Sequence, residues 1–131
     1  MAIGLRMYKL ISVLFISVVL LSCGKELDLK VEGLNAVEVS IYKDHNFVKK
    51  MVFDSGCPEL NKIKAWLKDN KEGWDSYLAT QAVDNLFITG EGFTLNVGKD
   101  WVVLNYENTQ GEYRQFIKSI SSDEFKFLYE M

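Results

Sequence analysis

The chain has 131 residues, a formal net charge of −3, and 48% hydrophobic and 25% charged residues. That length holds one hydrophobic core rather than two, and that balance excludes a disordered or low-complexity chain. An acidic sign is a poor basis for binding nucleic acid or anionic head groups, so no nucleic-acid partner is expected.

Residues 1–22 stand apart from the rest. Arg6 and Lys9 give a positive start, and Leu10 to Leu21 is an apolar run interrupted only by Ser12 and Ser17. Twelve helical residues reach about 18 Å, against ~30 Å for a bilayer core, so the run fits a secretory leader better than an uncleaved anchor helix. Leu20-Leu21-Ser22-Cys23 closes the run. This resembles the lipobox of bacterial lipoproteins, with Leu three before the cysteine and a small residue just ahead of it. The resemblance implies cleavage after Ser22, diacylglycerol on the Cys23 thiol and acylation of the new amine. It thus implies a signal peptide at 1–22, a lipid-anchored domain at 23–131, and the membrane as the first partner. Each buried methylene adds about 0.8 kcal/mol, so two or three chains hold essentially permanently. Gly24 stands where an Asp would resemble an inner-membrane retention signal. In a Gram-negative host this favours the periplasmic face of the outer membrane. Loss of Arg6 and Lys9 takes the formal charge to −5.

Glu26 to Glu32 alternates polar with apolar, the period of a half-buried strand; the other reading is a tether running to Asn35. A strand here would leave a very short leash behind Cys23. Val37, Val39 and Ile41 alternate in a second strand, Lys43-Asp44-His45-Asn46 turns, and Phe47 to Phe53 is a third strand with its alternation blurred by Lys49 and Lys50. Pro58 opens a helix, where its missing N–H has no helical partner, and Leu60, Ile63, Trp66 and Leu67 recur at helical spacing up to stop signals at Asn70 and Gly73. Strands are expected in Trp74–Thr80, Asp84–Thr89, Phe93–Val97, Trp101–Tyr106 and Tyr113–Ile120, joined by Gly-bearing turns of the antiparallel kind. Ser121-Ser122-Asp123-Glu124 has the form of a capping box ahead of a terminal helix carrying Phe125, Leu128 and Met131. The sum is an α+β domain: an antiparallel β-sheet meander with two helices packed on one face.

Candidate chemistry is thin. A lone histidine, His45, sits in a polar turn, and no Cys-x-x-Cys occurs, so neither a zinc site nor any other cofactor is expected. Cys57, ahead of Pro58 at a helix start, could be a thiol nucleophile paired with His45, a small buried hydrophobe, or a thiol open to an intermolecular disulfide. Glu91, Asp100, Glu107 and Glu112 could supply paired carboxylates for hydrolysis of cell wall, or simply be solvated turn residues. No catalytic motif is present. Trp74 and Tyr77, in the loop region after Gly73, mark a contact surface if exposed and core otherwise. The body, in its general pattern with Gly73-Trp74 and Phe93 to Tyr106, resembles small envelope lipoproteins of Gram-negative mobile elements. That resemblance implies a non-enzymatic module of the immunity or inhibitor type, binding an envelope or incoming protein. A structural accessory of the envelope and a cell-wall hydrolase or thiol enzyme are the alternatives.

Overall fold

The computed structural model describes residues 27–130. Seven strands form one antiparallel sheet: β1 (Ala36–Lys43), β2 (Asn46–Asp54), β3 (Asp75–Ser76), β4 (Leu86–Gly90), β5 (Phe93–Val97), β6 (Trp101–Glu107) and β7 (Tyr113–Ser119). Their order across the sheet is β2-β1-β4-β5-β6-β7-β3. Two short helices accompany it, α1 (Pro58–Asp69) and α2 (Lys126–Tyr129). β4 to β7 are the expected meander. The β1–β2 hairpin adds to it through β4, and β3 closes the opposite edge with two residues paired to β7.

Alternation fixes which side of each strand is wet. Val37 and Val39 pair with Gly90 and Ile88, and on across the sheet lie Leu95, Leu104 and Phe116, all on one face and all buried except the half-buried Gly90. α1 adds Leu60, Ile63, Trp66 and Leu67 to the same core cluster, and α2 adds Leu128. Trp66 is the joint between them. Its ring lies 4.8 Å from Phe125 and 6.0 Å from Trp74, and its Nε1 donates to Glu124 Oε1 at 3.1 Å. The other Glu124 oxygen accepts the Ser121 N–H at 2.6 Å. The capping-box residues therefore close a turn one step before α2, which starts at Lys126 rather than continuing directly from them.

Tight turns need residues that tolerate their backbone. Gly92 has φ +79 in the β4–β5 turn. Asp44 and His45 both have positive φ, 50 and 64, in the two-residue turn between β1 and β2. That is the type I′ geometry that suits strand twist and ordinarily selects Asn-Gly. At Gly98 a side chain is excluded for another reason, since a Cβ there would overlap the Trp101 ring.

Two expectations need correction. Residues 27–32 form no strand. Leu27 and Val31 are buried and Asp28, Lys30 and Glu32 exposed, as the alternation requires, yet the segment pairs with no strand. It runs as a belt along one end of the sheet, with Leu27 N–H donating to Lys71 O at 2.9 Å and Lys64 Nζ donating to Leu34 O at 3.2 Å. Nor is Trp74–Thr80 a strand beyond Asp75–Ser76. From Tyr77 the chain instead becomes a strap over the sheet face opposite the core. Gln115 Nε2 donates to the carbonyls of Tyr77 and Ala79 at 2.9 and 2.7 Å, and Asn96 Nδ2 to those of Gln81 and Ala82 at 3.3 Å each. Asn96 and its cross-strand partner Val103 are buried on this side, outside the main cluster.

Candidate interaction surface

β2 is the feature that the sheet leaves open. It is an edge strand of nine residues, and seven of them are exposed. Of the five large hydrophobic side chains that stand exposed among the described residues, three lie on it: Phe47, Val48 and Val52, at 58%, 54% and 65%. The register explains their display. Ile41 pairs with Lys49 and Tyr42 with Phe47, so Val48 is an extra residue bulged out of the ladder. Tyr42 and Phe47 meet edge-to-face at 5.8 Å. Lys50 is ion-paired with Glu38 across the hairpin. A bulge and lysines on an edge strand oppose indiscriminate strand addition, while leaving side chains free to make specific contacts.

A second feature lies at the belt. Asp28, Lys30, Glu91, Glu107 and Thr109 line an open depression of about 220 Å³. Asp28 Oδ2 accepts from Thr109 Oγ1 at 3.2 Å and Thr109 N–H at 3.4 Å. A hydrogen bond from the Tyr106 hydroxyl, with these two, holds the Asp28 carboxyl below its ordinary value. Burial, with Asp28 as hydrogen-bond partner, raises the Tyr106 phenol. The cluster thus works as a tie between the belt and the β6–β7 turn. No group of three or more His, Cys, Asp or Glu among the described residues is placed to hold a metal ion.

The residues singled out from sequence are dispersed. Cys23 lies outside the described residues. Trp74 is core, 4% exposed, with Nε1 donating to Asn70 O at 2.5 Å and Lys118 Nζ 5.9 Å from the ring centroid. It offers no exposed ring, so the contact-surface reading of Trp74 gives way to the core one. Tyr77 is half-buried, its hydroxyl accepting from Gln81 Nε2 at 2.5 Å at the start of the strap. Cys57 is half-buried, its Sγ donating to Asp54 Oδ1 at 3.5 Å. His45 is exposed, with Nδ1 3.3 Å from Val83 O. Cys57 follows one end of β2 and His45 precedes the other, which separates them by nearly 30 Å at ~3.4 Å per residue. Asp100 stands at the opposite end of the sheet from Glu91, Glu107 and Glu112, and Glu112 is engaged with Arg114 at 2.6 Å.

Sequence reasoning passed over β2 as a surface. The signal was its blurred alternation: Lys49 and Lys50 fall where a doubly covered strand would carry apolar residues. No helix among the described residues is long and apolar enough to cross a membrane. No protein-family model, curated protein or solved structure matches the chain.

Proposed function

We propose that this is a lipid-anchored, periplasm-facing binding module that recognises another protein through the outer side of the β1–β2 hairpin. What carries the reading is the concentration of Phe47, Val48 and Val52 on one unpaired edge, where the other large hydrophobics among the described residues are mostly buried. Exposed aromatic and aliphatic side chains gathered in one place mark contact surfaces. The immunity or inhibitor role agrees with this, since such a role needs a shaped surface and no reacting groups. A thiol enzyme built on Cys57 and His45 is disfavoured by their placement at opposite ends of β2. We also infer the finer α+β arrangement, both helices covering one sheet face, supported by the shared cluster that joins α1, α2 and the inward side chains of β1 and β4 to β7. The anchor rests on the resemblance of Leu20 to Cys23 to a lipobox.

A photo-crosslinking residue at Val48 or Val52, in the full chain within intact cells, tests the reading. A discrete adduct at both positions is expected. It should be absent with the probe at Ser122 and abolished by Phe47→Asp. No adduct at either β2 position, or equal labelling at Ser122, would refute it.

A further inference from the structure

The regular part of β2 is framed at both ends. At one end Val48 bulges out of the ladder. At the other, Gly56 N–H and Cys57 Sγ donate to Asp54 Oδ1 at 3.1 and 3.5 Å as the chain turns toward α1. Between the two, Lys49 to Asp54 pair one to one with Ile41 to Ala36, and the opposite side of the strand is the open edge of the sheet. Met51 and Phe53 stand beside Val39 and Val37 on the core face, half-buried and buried. By alternation Lys50, Val52 and Asp54, all exposed, belong to the outer face.

A straight, unpaired edge is completed by another extended strand, and charge decides which one. A two-fold axis perpendicular to the sheet sets β2 antiparallel to β2 of a second copy, with one residue opposite itself. With Lys50 on the axis, two ammonium groups face each other. With Met51 there, Lys50 lies against Val52 and Lys49 against Phe53, so no opposite charges meet. With Phe53 there, Asp54 lies against Val52 and Lys50 against the Gly56 turn. With Val52 on the axis, Val52 packs on its own copy, Lys50 meets Asp54 twice, and Met51 meets Phe53 twice on the core face. Opposite charges and apolar pairs directly across a ladder stabilise it, and like charges oppose it. Lys50 has donors left beyond its ion pair with Glu38, and Asp54 has a second carboxylate oxygen. The Val52 register also stops where the strand does: its ladder runs from Lys50 to Asp54, and Phe47 and Val48 fall beside the second copy's Ser55–Gly56 turn.

We propose that the β2 edge pairs with the β2 edge of a second copy, antiparallel about Val52, so that two seven-stranded sheets become one. This rests on the reading of the β1–β2 hairpin as a contact surface and names the partner that covers it.

The test uses the full chain with Cys57→Ser, which keeps a donor to Asp54, produced in intact cells and oxidised with copper-phenanthroline. Val52→Cys is expected to give a disulfide-linked dimer several-fold faster than Lys50→Cys, whose two thiols stand four residues apart along the seam, about 14 Å. Equal rates, or no dimer, overturn the proposal. Lys50→Asp and Asp54→Lys, each added to Val52→Cys, set like charges against each other, and each is expected to slow the dimer at least tenfold. Produced together with different tags, these two variants set Asp against Lys at both contacts, and their mixed dimer is expected to form at the parent's rate. A mixed dimer as slow as the single variants overturns the proposal. If the photo-crosslinker at Val52 captures a protein of another mass and no second copy, the contact-surface reading stands and the self-pairing falls. If it captures nothing, both fall.

Discussion

The belt and the strap are both irregular segments that cross the sheet, and they are held by opposite means. The belt puts side chains inward: Leu27, Val31 and Leu34 are 6%, 2% and 5% exposed, and Asp28 is tied to Thr109. The strap turns its side chains out, with Leu78 fully exposed, and is held by its own carbonyls on the amides of Asn96 and Gln115. One segment is specified by what its residues are. The other is specified by what lies beneath it. Cutting the same side chain from each should therefore give very different results.

Leu34→Ala should destabilise the domain by about 2–4 kcal/mol in denaturant unfolding, the range for a buried leucine that leaves a cavity. Leu78→Ala should stay within about 0.5 kcal/mol, as for surface positions. Equal losses would mean that the strap packs through its side chains after all. Gln115→Ala, which removes two hydrogen bonds to the strap, should lose about 1–2 kcal/mol and speed amide exchange in residues 78–83 more than in the belt. Uniform exchange would instead show that the strap and the sheet open as one unit.

Acid should reverse that order of exchange. The folded state holds the Asp28 carboxyl below its ordinary value of 3.8, so the tie is fully present above that pH and is lost as pH falls through the lower folded value. Amide exchange at Thr109, measured against the strap as pH drops from 5 to below 3, should rise in the wild type; Asp28→Asn should flatten the change. A flat wild-type profile would place the belt's hold in its leucines and Val31 alone. This is the smallest of the effects, because Asp28 is exposed and water screens it.

How much of this was legible follows from the same contrast. The spacing of Leu60, Ile63, Trp66 and Leu67 after Pro58 places α1, and alternation places β1 and the strands from β4 to β7, because each such segment buries one side at a fixed period. Alternation in Glu26–Glu32 also announced which belt residues are buried. It could not announce the missing ladder, because a period of two records a wet side and a dry side, not a hydrogen-bonded neighbour. The strap left no trace: Leu78 to Ala82 carry no inward side chain, and their partners, Asn96 and Gln115, lie 14 to 36 residues further on. The β2 edge was half visible, in Lys49 and Lys50.

By itself, then, the sequence determined the helix after Pro58 and the inward set of most strands, and it supplied the resemblance to a lipobox at Leu20 to Cys23. These are properties of composition and period within about ten residues. Strand order, the open β2 edge, the burial of Trp74 and the separation of Cys57 from His45 were decided only by the tertiary structure. Each depends on which distant segment comes to lie alongside, and no local period carries that information.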